Sequence, residues 1–132
     1  MASRSRYYYK GFYAEHALMK RLRKAGFWCA RLPRSGKSYG FDIIAMRGGK
    51  ALFVEVKRRS DFVNIYMRKE RVILMKEKVK KAGAIGLLAL YVSSVKEWYV
   101  RDIKSYDHIY NKNYRYDAGG NWIPLDEYLQ SL

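Results

Sequence analysis

At 132 residues the chain has the length for one hydrophobic core and too little for two. Its hydrophobic share of 49% contains no apolar run near twenty residues, which points to a soluble globular protein and away from a membrane span. The 27 Lys and Arg against 12 Asp and Glu leave a net charge of +15, far beyond what solubility needs, so the expected partner is a polyanion bound through several phosphates. An anionic membrane surface fits less well, because no basic amphipathic helix with one broad apolar face and no lipidation motif stands out. Met1 to Lys10 lacks the apolar core of a secretory signal. Cys29 is the single cysteine, which excludes an internal disulfide and a cysteine-based metal cluster and suits a reducing cytoplasmic setting.

In chain order, Ser3 to Lys10 (SRSRYYYK) reads as a flexible basic and aromatic arm, residues 1–10 in all. Tyr7 to Tyr9 suit base stacking, and equally packing on a partner or a sheet edge. Phe12 to Ala25 has helical spacing, with Ala14, Leu18, Leu22 and Ala25 on one stripe and Glu15 at its margin, where a first-turn acid also suits the helix dipole. Gly26 ends that helix and Phe27 to Leu32 reads as a strand. Arg31 to Gly40 (RLPRSGKSYG) is a basic loop stiffened by Pro33, with Ser35 and Ser38 as hydroxyl donors. Phe41 to Met46 and Ala51 to Lys57 are strands around Gly48-Gly49. Arg58 to Tyr66 leaves the sheet, and Arg68 to Ala82 is a second helix with Val72, Met75 and Val79 on one side and Lys and Arg on the others. Leu87 to Val92 reads as a strand covered on both faces, and Glu97 to Ile103 as the last strand. Lys104 to Gly120 is rich in tyrosine and poor in aliphatics, and it reads as a long loop before a short terminal helix from Pro124.

The hairpin carries the chemistry. With Gly48 and Gly49 as a two-residue loop, Arg47 pairs with Lys50, and the same register sets Asp42 opposite Glu55. Directly opposed side chains lie roughly 4.5–5.5 Å apart at Cβ, so two like charges there repel and call for a compensating cation. Lys57, two residues beyond Glu55, shares its face. Two converging carboxylates suit a hard cation such as Mg²⁺, which completes its shell with water and substrate phosphate. The alternative, an ordinary solvated edge, sits poorly with carboxylates inside runs as apolar as FDIIAM and LFVEV.

Asp42 followed by Glu55-Val56-Lys57 resembles the D…ExK core of the PD-(D/E)XK nuclease superfamily. More narrowly, an ordered set of segments resembles archaeal-type Holliday junction resolvases: Lys10-Gly11 with Glu15, Gly26-Phe27, Arg31-Leu32-Pro33-Arg34-Ser35-Gly36, the Asp42 strand, Glu55-Val56-Lys57, and Ile65-Tyr66-Met67-Arg68. Two departures stand out: Phe41 replaces the proline that many members carry before the aspartate, and His16 stands where several carry arginine.

The resemblance implies an α/β fold over residues 1–132, with a central mixed five-stranded sheet flanked by helices as in restriction-endonuclease-like nucleases. It also implies metal-dependent nicking of four-way DNA junctions by a homodimer, nucleoid-associated and without a small-molecule cofactor. Asp42, Glu55 and the Val56 carbonyl would hold Mg²⁺, with Mn²⁺ as a substitute, and Glu15 would support a second metal or its water. Lys57 would orient or deprotonate the attacking water, and Ser35 would donate to the scissile phosphate. Lys10, Arg31, Arg34, Lys37, Arg58, Arg59 and Arg68 would contact DNA. Two alternatives keep the fold: a nuclease for other branched or duplex DNA, and a non-catalytic DNA-binding module, the latter disfavoured by the presence of Asp42, Glu55 and Lys57 together.

Overall fold

A two-glycine turn organises the molecule. In the computed structural model, which describes residues 2–33 and 40–132 with side chains from residue 13 onward, Gly48 and Gly49 adopt φ of 53° and 79°. Those left-handed values at both loop positions match the right-handed twist of the flanking strands, β2 (Ile43–Arg47) and β3 (Lys50–Arg59). Arg47 pairs with Lys50 as expected, and the ladder runs in that register to Ile43 opposite Val54.

The long strand β3 is central. It runs antiparallel to β2 on one side and parallel to β5 (Ile85–Val92) on the other. A parallel neighbour requires a crossover, here supplied by β4 (Ile65–Arg68) and the helix α2 (Lys69–Ala82). With β1 (Trp28–Arg31), β6 (Glu97–Asp102) and β9 (Ile123–Pro124) the sheet has the order β1-β2-β3-β5-β6-β9. The expected mixed sheet is thus present, with a two-residue sixth strand at its edge.

Both faces are covered, as the apolar run IGLLALYV demands. On one face Val54, Leu87 and Ala89 pack with Leu18 and Leu22 of α1 (Ala2–Lys24) and with Leu125 of α3 (Leu125–Gln130). On the other, Phe53, Leu88 and Leu90 pack with Val72 and Met75 of α2 and with Ile65. Each fully buried aliphatic side chain contributes roughly 1.5–3 kcal/mol, so α2 is held firmly on its face. Gly86 makes the close approach possible, because a Cβ there would lie 2.8 Å from Ile103 Cγ2 and 3.0 Å from Val79 Cγ2.

Two segments differ from the sequence reading. The stretch read as an arm, residues 1–10, continues α1 from Ala2, since no proline interrupts it and a single glycine costs a helix only about 1 kcal/mol. The tyrosine-rich stretch read as a loop forms a hairpin of β7 (His108–Tyr110) and β8 (Asn113–Tyr116), which pairs with β4 in a separate three-stranded sheet. Tyrosine rings replace aliphatics there: Tyr106 stacks on Tyr114 at 4.1 Å, and Tyr116 is fully buried with its hydroxyl donating to the Ile103 carbonyl at 2.5 Å. Buried Arg101 pairs with Asp107 at 3.1 Å and lies over the rings of Tyr116 and Trp122. Among the described residues, no helix is long and apolar enough to cross a membrane.

Candidate active site

Asp42 lies just before β2, one residue beyond the last ladder pair, and its amide donates to the Val54 carbonyl at 2.8 Å. Past that point, among the described residues, β3 pairs with β5 on one side and with no strand on the other, beside Asp42. The Val56 amide fills part of the gap by donating to Asp42 Oδ2 at 2.8 Å. Since the N–H and C=O of one strand residue point to the same edge, the Val56 carbonyl is directed to the Asp42 side as well.

The two carboxylates share a face and a partner. Arg71, near the start of α2, places Nε 2.5 Å from Glu55 Oε2 and Nη2 3.6 Å from Asp42 Oδ1. A single guanidinium therefore spans both acids, which puts their side chains on the α2 face of the sheet, at one point. The Glu55 side chain is 4% exposed and that of Asp42 23%, so the pair sits in a recess open on the aspartate side. Burial raises the Glu55 carboxyl from its ordinary 4.5 to about 8, and the Asp42 charge adds to the rise. Lys57 and Arg71 pull the other way without cancelling it, which also places Lys57 within electrostatic reach of Glu55.

A divalent cation fits this donor set. Two carboxylates and a backbone carbonyl on one sheet edge match the few protein oxygens that Mg²⁺ accepts while keeping water and phosphate in its remaining positions. Burial is the main cause of the raised Glu55 pKa, and the Asp42 repulsion that adds to it is what a bound cation would relieve.

Glu15 is placed differently. It lies in α1, 6% exposed, and its carboxylate is paired with the Arg31 guanidinium of β1. That contact belongs to the α1 layer, whereas Arg71 reaches the acidic pair from α2. Among the described residues no group of three or more His, Cys, Asp or Glu gathers as a metal site, so the acids at the hairpin act as a pair.

The other candidate residues are spread along the same end of β3 and beyond. Arg58 lies over the Tyr91 ring at 5.9 Å, Arg59 donates to the Arg58 carbonyl at 2.7 Å, and Arg68 pairs with Glu70 at 3.1 Å on the surface. Lys10 is on α1, where only the backbone is described. Arg34, Ser35 and Lys37, with Ser38, fall outside the described residues.

Arg71 was not among the residues the sequence singled out, being one of several basic positions on a helix. A signal existed: it directly precedes Val72 and lies four residues before Met75, both fully buried, so it borders the face turned to the sheet.

Comparisons with known proteins place the chain in a family and a fold. A structure described as Archaeoglobus fulgidus Hjc, a Holliday junction resolvase, superposes with a TM-score of 0.79 at 25% identity, covering 92% of this chain and 96% of that one. A nuclease from a fusselovirus shares the fold, with a TM-score of 0.56 at 12% identity, covering 93% of this chain and 88% of that one. Crossover junction endodeoxyribonuclease Hjc of Sulfolobus acidocaldarius is 40% identical over 77 residues, and that of Sulfurisphaera tokodaii 36% identical over 77 residues. Each match takes in 56% of this chain and 54% of the relative, so the chain spans about half the length of the curated relatives it matches. The family model of the archaeal Holliday junction resolvase, Hjc, matches residues 6–132. With nearly its whole length covered by that model, the chain belongs to the archaeal Holliday junction resolvase family.

Proposed function

We propose that this protein is a metal-dependent endonuclease that nicks four-way DNA junctions. The observation that carries this is the convergence of Asp42 and Glu55 on one cation at an open strand edge, with Lys57 beside them, in a chain of the resolvase family. In this reading Asp42, Glu55 and the Val56 carbonyl hold Mg²⁺, and Mn²⁺ substitutes. The bound ion supplies Lewis-acid polarisation of the phosphate and stabilises the leaving oxygen. Lys57 orients the attacking water and steadies the negative charge of the phosphorane; the water oxygen bonds to phosphorus and gives its proton to solvent, and the P–O bond to the leaving oxygen breaks as that oxygen takes a proton from solvent. Arg58 and Arg59, at the end of β3, engage the backbone of an arm next to the cut. A homodimer presents two such sites to the two-fold symmetric junction, so paired nicks on opposing strands resolve it. The setting is intracellular, where such junctions form.

The test is cleavage of a synthetic four-way junction with and without Mg²⁺, beside a linear duplex of the same sequence. Asp42→Ala is expected to lose cutting and keep junction binding. Unimpaired cutting by that variant removes the site, and equal cutting of the linear duplex reassigns the substrate.

A further inference from the structure

Arg71 presents one guanidinium to both acids, through two different nitrogens of its fork. Its charge is permanent, because a guanidinium does not deprotonate in proteins. The space between the two carboxylates is also the space a shared divalent ion needs, at roughly 2.0–2.1 Å from each oxygen for Mg²⁺. A divalent ion bound there would compete with the guanidinium for Glu55 Oε2 and Asp42 Oδ1. The helix that carries Arg71 cannot retreat, since Val72 and Met75 are fully buried against the sheet. The Arg71 side chain can, because it is 34% exposed at the mouth of the recess. A guanidinium released there is open to solvent, and its planar fork matches a phosphate as well as it matches a carboxylate.

We propose that Arg71 is an exchange cation: it occupies the place between Asp42 and Glu55 in the free protein and yields them to a divalent metal when a DNA phosphate draws it away. The inference rests on the reading of the acidic pair as a metal site. It makes Arg71 a positioning residue that couples metal loading to substrate, so that the free protein holds metal weakly and the DNA complex holds it well. By thermodynamic linkage the coupling is reciprocal, and metal tightens junction binding by the same factor.

The experiment is calorimetric titration of Mn²⁺ into DNA-free wild-type protein, Arg71→Gln, Arg71→Lys and Asp42→Asn. Junction affinity is measured by fluorescence anisotropy with and without Ca²⁺. Arg71→Gln is expected to bind Mn²⁺ roughly tenfold tighter than wild type, a difference of ~1.4 kcal/mol, with Arg71→Lys between them. The gain in junction affinity on adding Ca²⁺ should be large in wild type and largely lost in Arg71→Gln. Thermal melts with and without Mn²⁺ read the same exchange through stability, and the Mn²⁺-induced rise in Tm should be larger for Arg71→Gln. If Arg71→Gln binds Mn²⁺ no tighter than wild type while Asp42→Asn binds it more weakly, the exchange is overturned and the metal site stands. If Asp42→Asn and wild type bind Mn²⁺ alike, the metal site falls and the exchange with it.

Discussion

Replacing Glu55 with glutamine should stabilise the metal-free protein at neutral pH while removing one of the two carboxylates proposed to hold the metal. The carboxyl is buried, and its pKa is raised from 4.5 to about 8, first by burial and then by Asp42. A group whose folded value is raised favours the folded state in its protonated form. Below about pH 4.5 folded and unfolded chains both hold the proton, and this group costs nothing. Between about 4.5 and 8 the unfolded chain releases the proton and the folded chain keeps it, so stability falls as pH rises, at ~1.36 kcal/mol per pH unit. By pH 7 the accumulated loss is about 3 kcal/mol, and above pH 8 it levels off near its maximum. Glutamine keeps the shape and cannot ionise, so it escapes that loss. Arg71 retains access to water through its exposed third, which limits what the variant forfeits by giving up the ion pair. Urea denaturation in a chelating buffer, at intervals from about pH 5 to pH 9, measures the effect. Wild type should lose stability steadily across that span and Glu55→Gln should not, while added Mg²⁺ should recover wild type alone. Parallel stability curves for the two proteins would refute the account of Glu55 as a buried, repelled carboxylate.

Gly120→Ala should cost about 1–3 kcal/mol by overpacking, because a Cβ there would lie 2.4 Å from Arg101 Nη1, 2.8 Å from Asp107 Oδ2 and 3.1 Å from the Asp117 carbonyl oxygen. A thermal melt checks it, and an unchanged Tm would show that the Arg101 network is not what holds the tyrosine hairpin. Arg59→Ala removes a cation whose side-chain hydrogen bond is to the Arg58 carbonyl, not to an acid, so the fold should be unaffected. Junction affinity should weaken, and the slope of log affinity against log salt should become shallower by about 0.9 if Arg59 meets one phosphate. A slope identical to wild type would take Arg59 off the DNA.

How much was legible in the sequence varies with how local the governing physics is. The hairpin was fully legible: two glycines that alone accept positive φ at both loop positions set the register, and Arg47 pairs with Lys50 as read. Asp42 falls one residue outside the ladder, yet its hydrogen bonds to Val54 and Val56 keep it beside Glu55. The second helix and the first from Phe12 followed from periodicity, and the strand Leu87–Val92 from its unbroken apolar run, although α1 starts at Ala2 and β5 at Ile85. The segment 104–120 did not, because the reading sought aliphatic residues and the chain supplies tyrosine rings that bury carbon while their hydroxyls find carbonyls. Glu15 was legible as a residue on the border of the core, but its partner Arg31 sits sixteen positions away on another element.

The amino-acid sequence by itself determined that a glycine hairpin brings Asp42 and Glu55 side by side, where a cation would offset their repulsion, because turn geometry and strand alternation act between near neighbours. Only the tertiary structure decided which cation answers in the free protein. Arg71 reaches the pair because the crossover from β3 to β5 lays α2 over that face of the sheet; periodicity within the helix sets it beside the buried stripe, but not which side chains lie opposite it.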